Sequence, residues 1–153
     1  SIYFASGPLD LSVSKDRLAG YRQALTEAGI PLEDGHIFSG AFDEETGMRI
    51  AQEIFQGRGK PDAVVATDDV IAFGLSRAMT NFGYKIPEDI AIGSFNNSVL
   101  SRYSDAQLTT IDIHSFDLGQ QCVEQLMDAI EEGLRDGNAI IDHELIKRKS
   151  TLG

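Results

Sequence analysis

Asp68 and Asp69 stand where one pattern ends and another begins. In "PDAVVATDDVIAFG" residues 63–67 read as a buried strand, and helical spacing starts directly after the two acids. A carboxylate at such a junction can cap the helix by accepting backbone N–H bonds, or it can face a ligand, and the two roles are compatible. Asn96 and Asn97 hold the matching place after "IAIGSF". They offer carboxamides to a ligand, or they simply make a turn, since Asn tolerates left-handed geometry. Arg17 follows Ser14, a candidate helix cap, by three residues. A cation there opposes the helix dipole by about 0.3–1 kcal/mol. Either an acidic or hydroxyl partner across a cleft or plain solvation would account for it. Phe42 follows the second apolar run and His114 the fifth; one is an aromatic platform or a packed loop residue, the other a ligand group or an ordinary strand-end histidine. Carboxylates, carboxamides, a guanidinium, an imidazole and an aromatic face suit a neutral polyhydroxylated ligand such as a sugar. Neither GxGxxG nor a P-loop follows the first strand, so a phosphate cradle is not indicated.

These residues meet only if the elements between them build one sheet. Strand patterns alternate with helix patterns along the chain. "IYFAS" precedes a helix capped by Ser14, with Leu18, Tyr21, Leu25 and Ala28 facing inward. "GHIFSG" precedes a helix opened by Asp43 that buries Met48, Ala51, Ile54 and Phe55. "DAVVAT" precedes a helix with Ile71, Leu75, Ala78 and Phe82 at helical spacing. "IAIGSF" leads into "NNSVLSRYSDAQ", an irregular loop, and then "LTTIDI". A long helix follows, with Phe116, Val123, Leu126, Ile130 and Leu134 on one face, and "IIDHELIKRKST" closes the chain as a strand. This alternation predicts an α/β fold: a doubly wound, Rossmann-like parallel sheet with right-handed crossovers. Ligands of such sheets bind beyond the carboxyl ends of the strands, which is where every residue of the first paragraph falls.

Composition narrows the class. The chain has 153 residues, 42% hydrophobic and 24% charged, as expected for one globular domain. Its formal net charge of −11 repels phosphate backbones, so the chain is a poor nucleic-acid binder by itself. No apolar run is long enough to cross a bilayer, and "SIYFASG" is too short for a signal peptide. There is no initiator Met, and the chain reads as a piece of something longer. The single cysteine, Cys122, can make neither an internal disulfide nor a metal cluster; a buried apolar thiol in a reducing cytoplasm is the expectation. No cofactor, metal or catalysis is expected.

"PDAVVATDDVIAFGLSRAM", "IPEDIAIGSFNNS", "LTTIDIHSFDLGQQ" and the closing "ELIKRKST" stand in the order and spacing of LacI/GalR-type bacterial transcription repressors, which the whole chain resembles. "SFNNS" with "IDI" is more similar to the maltose- or malto-oligosaccharide-responsive members. The resemblance implies an effector-binding core of the type I periplasmic-binding-protein kind, with two α/β subdomains around a cleft. Residues 1–153 would be the C-terminal subdomain of that core. The crossover strand and helix, residues 108–135, would pack on an N-terminal subdomain outside this chain, as would a helix-turn-helix headpiece that reads operator DNA. By position Arg17 matches the family's effector-contacting arginine, Phe42 its stacking aromatic and Asp69 its helix-leading Asp. Asp68 falls where the family usually has Asn, and Asn96 where many members have Asp, so carboxylate and amide are exchanged. Asn97 follows Asn96, and at His114 the match is loose. The family dimerises through the helix after the third strand and the loop after the fourth, which here carry Phe73, Leu100 and Tyr103.

The expected function is therefore effector binding and homodimerisation in a repressor, with a sugar such as maltose shifting the population of two states. A periplasmic sugar-binding protein of a transporter shares the core fold and is the alternative. A phosphoaspartate receiver with Asp68 or Asp69 as acceptor is disfavoured, because its Mg²⁺ needs acids after the first strand and that strand runs into Ser6-Gly7-Pro8.

Overall fold

A computed structural model describes residues 1–57, 59–133 and 140–152. The strands are β1 (Ile2–Ser6), β2 (Ile37–Ser39), β3 (Ala63–Ala66), β4 (Ala91–Phe95), β5 (Thr109–Asp112) and β6 (Glu144–Ile146). The helices are α1 (Ser12–Glu27), α2 (Glu44–Phe55), α3 (Asp69–Asn81), α4 (Val99–Tyr103) and α5 (Ser115–Glu132). The sheet order is β2-β1-β3-β4-β5-β6, parallel from β2 to β5. From β1 the chain turns first to one side, to β2, and then to the other, to β3. Right-handed crossovers then put α1 on one face and α2 and α3 on the opposite face. The expected fold class is the one observed.

Strand alternation sorts the core into two layers. Tyr3, Ala5, Val64, Ala66 and Ile92 meet Ile50, Ile54, Ile71, Leu75 and Met79 on one face. Phe4, with Ile2 and Val65, meets Tyr21 and Leu25 of α1 on the other. Both faces are covered, which is why "YFA" and "AVVA" read as unbroken apolar runs. α2 and α3 touch backbone to backbone: a Cβ on Gly47 would lie 2.1 Å from the Ile71 carbonyl oxygen, and one on Gly74 2.1 Å from that of Glu44.

Several expectations change. α1 begins at Ser12 with Leu11 as its cap, and Ser14 is buried in the first turn rather than capping. Ala28 caps the other end and is exposed. Met48 and Phe55 are exposed, because the buried arc of α2 runs through Gly47, Ile50, Ala51 and Ile54 and both lie outside it. Phe82 is half-buried and stacks on Phe55, ring centres 4.5 Å apart. The segment expected as a loop after β4 contains α4. β6 is antiparallel to β5, Asp112 opposite Glu144, because the chain returns at the end of the sheet where it left. Cys122 is exposed, since α5 turns no face to the sheet core. Phe116, 82% exposed, and Val123, Leu126 and Ile130 leave the apolar face of α5 open; Leu134 lies outside the described residues.

Candidate functional site at the switch of strand order

The strand order reverses between β1 and β3, the point at which a sheet of this kind leaves a crevice at the carboxyl ends of its strands. Gly7 and Thr67 close its floor, the Gly7 N–H donating to Thr67 Oγ1 at 3.1 Å. Phe42 packs against Gly7: a Cβ at residue 7 would fall 2.5 Å from the ring, so only glycine lets the aromatic settle there. Phe42 nonetheless stays 38% exposed.

Arg17 reaches into the crevice from α1. It donates to the Thr67 carbonyl and, through Nη2, to Asn96 Oδ1 at 3.1 Å, with its guanidinium 4.5 Å over the Phe95 ring. Burial pulls its pKa down, and the charges of Asp68 and Asp69 oppose that shift. The cation that sits awkwardly near a helix start therefore has its partners at the carboxyl ends of β3 and β4. Asn96 passes the chain on: its Nδ2 donates to Asp68 Oδ2 at 2.6 Å. Asp68 caps α3 with its other oxygen, which accepts the Val70 N–H at 2.7 Å. Capping and facing the crevice are thus combined in one carboxylate. The amide at residue 96 and the carboxylate at residue 68 thus bond each other directly.

Asp69 points the other way. It is 1% exposed, and its oxygens accept from Ser94 Oγ (2.5 Å), Thr110 Oγ1 (2.8 Å) and the Ser98 N–H (2.6 Å). That carboxylate, at the start of α3, ties α3 to β4, β5 and the start of α4. No phosphoryl donor could reach it as a receiver's acceptor. Asn97 also turns from Arg17, toward Asp112 and Arg148. His114 stands at the hinge between β5 and α5 with a left-handed φ of 50°, its N–H on Asp112 Oδ1 at 2.8 Å and its ring 3.5 Å from Asp117. The His114 N–H and the Asn97 amide hold the Asp112 carboxyl below the usual carboxylate range. The structure so brings Arg17, Asp68 and Asn96 into one bonded chain with Phe42 nearby, and leaves Asp69, Asn97 and His114 in supporting positions.

Thr67, Phe95 and Arg148 were not singled out from the sequence. The first two end strands next to residues that were, so their place was within reach. Arg148 belongs to the basic "KRK", and only the pairing of β6 with β5 shows which of the three turns inward. A groove of about 720 Å³ beside α1 shares Arg17 and Phe95 with the crevice, but Ile2, Tyr21, Leu25 and Val65 make it largely apolar.

The periplasmic binding protein-like domain family matches residues 1–151. The chain belongs to that family. Among curated relatives, the transcriptional repressor PurR of Klebsiella pneumoniae is 33% identical over 145 residues, which are 94% of this chain and 42% of that protein. A LacI-type regulator from Bacillus cereus subsp. cytotoxis superposes with a TM-score of 0.92 at 36% identity, over 97% of this chain and 53% of the other. The regulator CelR, solved with cellobiose, superposes at 0.90 with 25% identity, over 97% and 46% of the two chains. This periplasmic-binding-protein-like domain is thus of the kind found in LacI-type regulators, and it spans less than half the length of PurR. Among the described residues no helix is long and apolar enough to cross a membrane.

Proposed function

We propose that the chain is the C-terminal half of the effector core of a cytoplasmic LacI-type repressor, and that its effector is a neutral sugar of the maltose or cellobiose kind. The observation that carries this is the Arg17–Asn96–Asp68 chain at the strand-order switch. A guanidinium, an oriented carboxamide and a carboxylate alternate donors and acceptors over a few ångströms, which matches adjacent hydroxyls, and the exposed Phe42 ring supplies a face for a pyranose. Asp69 and Asn97 support the site from below, and His114 stands where the chain leaves for the other subdomain. The open face of α5 is the surface that the N-terminal subdomain would cover. Binding between two subdomains would favour one relative orientation and pass it to a DNA-reading headpiece outside this chain. The site's groups bind and orient, and catalysis is no part of this reading. The cellobiose in CelR supports the ligand class, and the relatives named as repressors favour regulation over transport.

Calorimetry of the longer protein with maltose, cellobiose, ribose and a purine nucleoside tests this. A disaccharide should bind, and Arg17→Ala or Asn96→Ala should each weaken it about tenfold or more, in line with roughly 1.5–3 kcal/mol for a hydrogen bond to a charged group. Preference for the nucleoside, or undiminished affinity in both variants, refutes the assignment.

A further inference from the structure

We infer that Arg148 is the positioning residue of the Asn96–Asn97 turn and acts through the Asn97 carboxamide. The inference draws its functional meaning from the sugar-site reading above. β6 runs antiparallel to β5, with Thr110 opposite Ile146, so the same register carried on puts residue 148 opposite Leu108 and next to Thr109. Its backbone is pinned there: the Arg148 N–H donates to Thr109 Oγ1 at 2.8 Å, and that hydroxyl donates to the Arg148 carbonyl at 3.1 Å. The guanidinium then bonds three separate segments. Nη1 reaches the Leu108 carbonyl at 2.8 Å and Ser101 Oγ of α4 at 3.1 Å, and Nη2 reaches Asn97 Oδ1 at 2.6 Å.

Asn97 is held at both ends, because its Nδ2 donates to Asp112 Oδ2 at 2.6 Å. That clamp bears on the backbone. Asn96 and Asn97 have φ of 98° and 46°, consecutive positions in a region that non-glycine residues seldom occupy. The Asn96 N–H to Ile111 carbonyl bond (2.8 Å) and the Asn97 N–H to Thr110 Oγ1 bond (3.2 Å) hold the turn from the β5 side. In this backbone state the Asn96 side chain meets both Arg17 and Asp68. Arg148 thus orients Asn96 without touching it. A lysine cannot stand in, since an ammonium on a flexible stem lacks the planar fork that spans these acceptors.

The test follows the side-chain amide NMR signals of Asn96 and Asn97, with backbone hydrogen exchange, in the wild-type chain and in Arg148→Met, Arg148→Lys, Asn97→Ala and the Asn97→Ala/Arg148→Met pair. Both Arg148 variants should speed exchange of the Asn97 amide at least tenfold and shift the Asn96 signals, while Val64 and Val65 of β3 stay protected. Asn97→Ala should give the same Asn96 shift, and adding Arg148→Met should move it no further. If Arg148→Met loses core protection, Arg148→Lys carries the comparison. Unshifted Asn96 signals in the Arg148 variants overturn the inference, as does an Arg148 effect that persists undiminished without Asn97. In the longer protein, with maltose as probe, Arg148→Lys should weaken binding about tenfold relative to the wild-type protein. Failure of the wild-type protein to bind maltose counts against the sugar reading alone, because the amide comparison needs no ligand.

Discussion

Asp68 and Asp69 are neighbours with opposite surroundings, and the difference can be measured. Asp68 spends one oxygen on the Val70 N–H and offers the other to Asn96 at the crevice. Its replacement by Ala should cost about 1 kcal/mol as a lost cap and should remove a ligand contact. Asp69 is buried under three donors. Asp69→Ala leaves those donors unpaired in the interior and should destabilise the chain by about 3 kcal/mol or more. Asp69→Asn keeps an oxygen for Ser94 and Thr110 but turns an amide toward the Ser98 N–H, so it should fall between the two. Urea unfolding of the three variants checks this order. Equal losses at residues 68 and 69 would contradict the division between rim and support.

Between elements, the tightest contact is that of α2 with α3, where Gly47 and Gly74 let the two backbones meet. Gly74→Ala puts a methyl 2.1 Å from the Glu44 carbonyl oxygen, and rigid backbone must move to admit it. Overpacking of this kind costs about 1–3 kcal/mol, against up to about 1 kcal/mol gained in helix propensity. Gly20, exposed within α1, is the control: a Cβ there meets nothing within 4 Å, so Gly20→Ala should stabilise by up to about 1 kcal/mol. The two substitutions should therefore have opposite signs in denaturant midpoints. A Gly74→Ala variant as stable as Gly20→Ala would mean that the helices stand further apart than described.

At the scale of the whole molecule, two surfaces among the described residues bear on assembly. One is the apolar face of α5. The other spans α3 and α4, where half-buried Phe73 lies beneath Arg77 on α3, and α4 carries half-buried Leu100 and Tyr103, which is 82% exposed. An aromatic and aliphatic patch on adjoining helices is what the centre of a two-fold interface contains. The chain should sediment as a dimer at micromolar concentration, and Phe73→Glu should shift it to monomer with its far-UV spectrum intact. Val123→Glu on α5 should leave that dimer in place. A dimer that survives Phe73→Glu but not Val123→Glu would move the association to α5.

Periodicity alone determined the strands, the long helices between and after them, and the rim on which Arg17, Asp68 and Asn96 meet. Those features are local: alternation marks a strand, an Asp before an apolar spacing marks a helix start, and the order of elements leaves one end of the sheet for ligands. Tertiary structure decided the rest, because it depends on contacts between distant residues. Nothing near Met48 or Phe55 shows that the buried arc of α2 passes through Gly47, since that arc is set by where α3 lies. Asp69 looks like Asp68 until Ser94 and Thr110 arrive from other strands to bury it. Arg148 is one of three basic residues in a row, and it becomes the partner of Asn97 only because β6 runs back along β5 and brings it there.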